Sequence, residues 1–185
     1  MDNIMDDAIN NTNDYRFNPI MSLKNEYRKT YANYIQFNGF AEYEFIKGLK
    51  LKVSGGYTFD TRKGETFNNS KTRYGNPKSS DKVNAEIYHS QRATWLNENI
   101  LTYDFSVGKH SFNLLAGHSI QATRWDKNEA SKQGFATDNI YEMDGGTMND
   151  HVTGSAEESS LQSFFGRLNY NYGGRYLLEM NVRHD

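Results

Sequence analysis

The sequence predicts an all-β chain: an antiparallel up-and-down meander of about six strands in three hairpins, forming part of a transmembrane β-barrel. Three observations predict it. Apolar and polar residues alternate with period two through most of the 185 residues, as in strands with one apolar and one polar face. Turns within hairpins are short and centred on Gly48, Gly108 and Gly173, whereas the connections between hairpins are long and polar, the asymmetry of outer-membrane barrels. Aromatic residues, 14% of the chain, gather towards both ends of the apolar faces.

The composition agrees. The apolar fraction of 36% and mean hydropathy of -0.86 suit a sheet surface better than a thick two-layer core. No apolar run reaches the ~18–20 residues of a membrane helix, which says nothing against a barrel. A net charge of -2 gives no global electrostatic case for nucleic acid, and cysteine is absent.

Residues 1–30 are polar and Asn-rich and are expected to be a loop leading into a strand. Ile4 to Ile9 is long enough for one helical turn without a sustaining period, and Asn18-Pro19 signals a turn. The first hairpin is expected over residues 31–60. Ile35, Phe37, Gly39, Ala41, Tyr43 and Phe45 share a face, and the alternation runs through Asn38-Gly39, so that glycine reads as strand interior. After Lys47-Gly48, residues 49–60 give the cleanest alternation of the chain. Residues 61–85 read as a long polar loop. The second hairpin is expected over residues 86–123. Asn97 and Asn99 interrupt its apolar parity and Leu96 and Ile100 fall on the other face, which a β-bulge would explain. Residues 124–160 form a second polar loop, and residues 161–185 a third hairpin turning at Gly173-Gly174.

A length test supports the barrel. Trp95 to Tyr103 and Phe164 to Tyr172 are eight-residue steps, about 26 Å of strand at ~3.3 Å per residue. Tilted by ~40°, each rises about 20 Å, close to the ~25 Å apolar band between two aromatic girdles. Girdle candidates are Tyr43, Phe45, Tyr103, Phe105, Tyr170, Tyr172 and Tyr176 near the short turns, and Tyr57, Phe59, Trp95 and Phe164 towards the long loops. The opposite face carries Glu42, Glu44, Lys50, Lys52, Asp104, Arg167, Glu179 and Arg183. Charges facing lipid cost ~2–4 kcal/mol each at mid-depth, so these are expected to face a lumen or a plug. An ordinary half-solvated sheet also alternates; loop asymmetry and paired aromatic ends favour the barrel.

The histidines at 89, 110, 118, 151 and 184 form no close metal-ligand pair, and His118 and His184 fall on the apolar face. Asp144-Gly145-Gly146 with Asp150 lacks calcium-loop spacing, Gly117-His118-Ser119 lacks the nucleophile-elbow frame, and Glu157-Glu158 reads as a solvated pair. Asn68-Asn69-Ser70 matches a glycosylation sequon that also arises by chance. No catalytic residue, cofactor or metal ligand is expected. Phe67, Tyr74, Trp125, Phe135 and Tyr141 are candidate loop contacts to sugar rings or peptide side chains; pinning the loops to one another explains them equally well.

Residues 163–185, SFFGRLNYNYGGRYLLEMNVRHD, resemble a recurring barrel segment of SusC/RagA-type TonB-dependent outer-membrane transporters. The match lies in Ser163-Phe164-Phe165-Gly166-Arg167, Asn169, Tyr170, Tyr172, Arg175-Tyr176-Leu177-Leu178, Arg183 and Asp185. Residues 40–53 and 95–117 look similar to the same family, and the resemblance runs from about Asn18 onward. It implies an internal fragment of the barrel of a longer chain. The signal peptide, TonB-contacting segment, plug domain and C-terminal strands of the family are then absent, and residues 1–14 have no basic or apolar leader character. About six strands are too few to close a barrel, so this stretch alone is expected neither to transport nor to fold stably in water. The implied parent is a Gram-negative, Bacteroidetes-like outer-membrane importer of oligosaccharides or peptides, with lipid, TonB and a SusD-like surface lipoprotein as partners. The alternatives are a soluble all-β glycan-binding or adhesive module and a passive porin.

Overall fold

The structure, a computed structural model, describes residues 19–76 and 82–185. Most of the expected lead-in, including Ile4 to Ile9 and Asn18, lies outside the described residues, as do residues 77–81 of the first long connection. A short helix α1, Pro19–Asn25, is followed by β1 (Glu26–Ile46), β2 (Leu49–Asn68), β3 (Asn84–Val107), β4 (His110–Gln133), β5 (Met148–Tyr172) and β6 (Tyr176–His184). The strands form one antiparallel meander in the order β1-β2-β3-β4-β5-β6. The predicted fold class is therefore what the chain adopts.

The turns fall at the expected glycines. Gly48, Gly108, Gly173 and Gly174 have φ of +84°, +60°, +57° and +73°, a region where a Cβ is penalised. In β5–β6 the register pairs Phe164 with His184 and Tyr172 with Tyr176, so even-numbered residues share one face across the hairpin. Gly39 lies inside β1, as the uninterrupted alternation predicted.

Three expectations need correction. The strands outrun the alternation: β1 begins at Glu26, β2 continues to Asn68, β3 starts at Asn84, β4 reaches Gln133 and β5 starts at Met148. The stretches read as long polar loops are thus partly strand, leaving residues 69–83 and 134–147 as the connections. Backbone pairing does not need an apolar face; where both faces are polar, no period marks the strand. Part of the expected lead-in loop is α1 and the start of β1. The bulge near Asn97 is absent. The Asp104 amide donates to the Gly48 carbonyl at 2.9 Å, and a Cβ on Gly56 would sit 3.9 Å from that of Leu96. From 48 to 56 and from 104 to 96 are equal steps, so β3 holds no extra residue there. Asn97 and Asn99 thus stay on the face of Trp95 and Tyr103.

The chain divides into two compact units. The first takes its described residues from Met1–Asn33, Thr61–Ser90 and Lys127–Ser155; the second is Tyr34–Asp60, Gln91–Asp126 and Ala156–Asp185. The first unit holds the buried cluster of Phe67, Ala85 and Phe135, with Tyr27, Val83 and Met143 packed on it. The second holds the three hairpin turns and both strand faces predicted for the barrel.

Candidate functional site

The apolar face of the second unit ends, at the turns, in a chain of aromatic rings. Tyr103 stacks on Phe105 at 4.8 Å, Phe105 on Phe112 at 4.9 Å, and Phe112 meets Tyr170 at 5.0 Å. His110 joins it, 4.8 Å from the Tyr172 ring and with Nδ1 2.7 Å from the Tyr170 hydroxyl. Tyr172 continues to Tyr176 at 6.3 Å, and Tyr43 packs edge-on to Phe45 at 5.0 Å. Of the predicted girdle residues near the turns, Tyr103, Phe105, Tyr170, Tyr172 and Tyr176 are thereby brought together, with His110 as a member the residue pattern did not single out, while Tyr43 and Phe45 form a pair of their own. Towards the other end, Tyr57 stacks with Phe59 at 6.5 Å, and His118 lies 4.8 Å from the Phe164 ring. Along this face and its border the apolar side chains are bare: Trp95, Leu101, Phe164, Met180 and Val182 are 44%, 41%, 54%, 59% and 70% exposed.

The opposite face of the same unit is knit by polar contacts. Asn113 is the hub: its amide donates to Asp104 at 2.6 Å, and its carbonyl accepts from Arg167 at 3.4 Å and Asn169 at 3.3 Å. Arg183 donates to the fully buried Ser163 hydroxyl at 3.1 Å and to Asp185 at 2.7 Å. Glu179 accepts from Asn181 at 3.0 Å, the Glu44 carboxylate accepts the Gly48 amide at 2.7 Å, and Lys52 lies 4.7 Å over the Phe40 ring. Glu42 is exposed and Lys50 half-buried. Near the turns this face forms a groove whose lining includes Asp104, Asn113, Asn169 and Glu179. The charged residues fall on the predicted face, but they are spaced along it and converge on no single reactive centre. Asn113 was not singled out beforehand, although its odd number between Phe112 and Leu114 already places it on the polar face. Phe165 also lies here, against Gly117, where any Cβ would collide with the ring.

The loop aromatics of the first unit divide. Phe67 and Phe135, 3% and 7% exposed, pack edge-on at 5.4 Å, so they pin the second connection to the end of β2 rather than offering a surface. Tyr141 stacks on Tyr27 at 5.5 Å yet stays 50% exposed, and Tyr74 is 51% exposed. Phe67 belongs to β2, and Trp125, in the second unit, is a half-buried residue of β4; neither lies in a loop. The two connections are clasped by Asp138, which accepts from the Ser70 amide at 2.8 Å and the Ser70 hydroxyl at 2.6 Å. Around Thr72, fully buried, the first connection folds on itself: the Thr72 hydroxyl donates to the Asn69 carbonyl and accepts the Gly75 amide.

Electrostatics in this unit are local. Lys63 lies 2.6 Å from Glu65, and its hydrogen bond holds the Glu65 carboxyl below the ordinary carboxylate range while raising Lys63. Lys127 pairs with Glu129, and that hydrogen bond raises the Lys127 ammonium above its ordinary value. Among the described residues no group of His, Asp and Glu is arranged to hold a metal ion.

No family model matches the chain. Over 180 residues it is 28% identical to TonB-dependent receptor P3 of Formosa agariphila, covering 96% of this chain and 18% of that protein. It is 25% identical over 177 residues to TonB-dependent receptor P26 of the same organism, 91% of this chain and 17% of that protein. The chain thus spans under a fifth of the length of these relatives. In fold it matches the RagAB peptide transporter with a TM-score of 0.77 at 24% identity, covering 86% of this chain and 18% of that one. By sequence over nearly its whole length the chain is similar to TonB-dependent receptors, and its fold is that of a part of the RagAB peptide transporter structure.

Proposed function

We propose that this chain supplies barrel wall, lumen lining and extracellular connections to a TonB-energised outer-membrane importer. The observation that carries the reading is the contrast between the two faces of the second unit. One presents exposed apolar side chains bordered by stacked aromatics. The other carries Asp104, Arg167, Glu179 and Arg183 in hydrogen bonds. Bare apolar residues suit hydrocarbon, and aromatic borders suit its two interfaces. The charged face suits a wet lumen, where Arg167 and Arg183 contact a plug or line the path. The exposed Tyr74 and Tyr141 are the loop groups best placed to touch an oligosaccharide or peptide, with a SusD-like lipoprotein closing from outside. The bilayer, TonB and that lipoprotein are the partners.

The test is uptake by cells carrying the full-length protein, supplied with oligosaccharides or with peptides as sole nutrient. Growth on one class that stops when TonB is inactivated is expected. Growth indifferent to TonB would assign the protein to passive porins, and a full-length protein recovered from the soluble fraction would support the adhesive-module reading.

A further inference from the structure

The apolar face of the second unit has a polar interruption. Thr94 and Thr123 face each other at 3.0 Å, and Phe105 stacks on Phe112; counting inward along the antiparallel strands from either pair places Asn99 opposite His118. Asn99 donates to the Asn97 carbonyl at 2.8 Å, Asn97 donates to the backbone carbonyl of Ser54 at 3.1 Å, and Gln162 lies 3.0 Å from His118 Nε2. These four residues lie next to the border marked by Trp95 and Phe164. The Asn99 carbonyl and one N–H of each asparagine amide have no partner among the described residues. Beside them the surface is bare backbone: a Cβ on Gly39 would meet nothing within 4 Å, and one on Gly55 only the Leu96 carbonyl at 3.9 Å.

In hydrocarbon an unmet amide group costs several kcal/mol, about 4–8 on the cyclohexane scale. Four polar residues on a membrane face therefore call for a polar ligand group at that depth. Resting on the reading that this face meets the membrane, we propose that Asn97, Asn99, His118 and Gln162 recognise the acyl-linkage region of an outer-leaflet glycolipid with amide-linked, hydroxylated acyl chains. The amides offer both donors and acceptors. An amide or hydroxyl linkage answers both, whereas the ester linkages of a phosphoglycerolipid only accept. The Gly39 and Gly55 surface lets the linkage approach the sheet.

The test is native mass spectrometry of the full-length protein extracted from its membrane and offered lipid A or dioleoylphosphatidylethanolamine. Wild-type protein is expected to retain lipid A selectively. The double variant Asn97→Val, Asn99→Val is expected to lower that retention roughly tenfold, the equivalent of one to two hydrogen bonds. Both substitutions remove half-buried amides; the Asn97 bond to the Ser54 carbonyl is lost, and every bond between backbone groups of neighbouring strands is kept. Equal retention of both lipids, or retention unchanged in the variant, would overturn the proposal. So would an Asn97→Cys protein that forms a disulfide-linked dimer in the membrane, which would assign the patch to a second copy. A fluorophore on Leu101→Cys, read against brominated lipid chains, separates the two levels. Quenching without lipid A selectivity sinks only the lipid site; no quenching sinks the membrane-facing reading with it.

Discussion

Placing an arginine at Ala116 tests the membrane-facing reading most directly. Ala116 is exposed and lies on β4 four residues from Phe112 in the aromatic chain near the turns. Four residues at ~3.3 Å make about 13 Å of strand, and a ~40° tilt leaves about 10 Å of height. In a band ~25 Å tall that is near the midplane, where an arginine facing lipid costs ~2–4 kcal/mol. Ala116→Arg in the full-length protein, unfolded by urea from phospholipid vesicles, should lose stability by that amount. Ser119→Arg, three residues on and of opposite parity, is the control and should lose less than ~1 kcal/mol. In a soluble sheet with a wetted face the order would vanish, since an exposed alanine tolerates arginine within ~0.5 kcal/mol. An Ala116→Arg cost no larger than that of Ser119→Arg would therefore refute the assignment of faces.

Gly117→Val should force Phe165 out of its place and cost about 1–3 kcal/mol, seen as a lower thermal midpoint, with Gly117→Ala intermediate. Asp138→Ala removes both hydrogen bonds to Ser70, so the Ser70 amide should exchange with deuterium at least tenfold faster while amides of β5–β6 are unchanged. The Glu65 carboxyl is held below its ordinary value by Lys63, so its contribution is present above the unfolded carboxylate pKa of ~4.3 and fades as pH falls through the lower folded value. Deuterium exchange at the ends of β1 and β2 should rise below about pH 4 in wild type, and Lys63→Ala should shrink that rise, since the Glu65 carboxyl then titrates nearer its unfolded value.

How much of this was legible in the residues depended on whether each signal was local. Period-two alternation located all six strands because each of residues 35–45, 49–59, 101–105, 112–116 and 161–182 carries its own apolar stripe. It stopped short at Thr61-Arg62-Lys63-Gly64-Glu65, where both faces are polar and the strand is marked only by backbone pairing. Asn97 and Asn99 suggested a bulge because a polar residue of apolar parity looks like a slipped register; Asn97 is accommodated by a bond across to the Ser54 carbonyl of β2, and Asn99 by its bond to Asn97. Phe67 and Phe135 lie 68 positions apart, so nothing along the chain pairs them, and solitary aromatics in polar sequence look like ligand contacts. Asn113 could have been found by parity, but its role as hub depends on Asp104 arriving from β3 and Arg167 and Asn169 from β5.

The meander has a kinetic consequence. Every strand pairs only with its neighbours in sequence, and the turns at Gly48, Gly108 and Gly173 join hairpin partners through two or three residues. Loop-closure entropy is then small within each hairpin. Hairpins can zip in microseconds and dock one after another, so the slow step of assembly falls to joining the 69–83 and 134–147 connections. The Ser70–Asp138 clasp bridges those connections, the Phe67–Phe135 contact ties the second to the end of β2, and both form last in such an order.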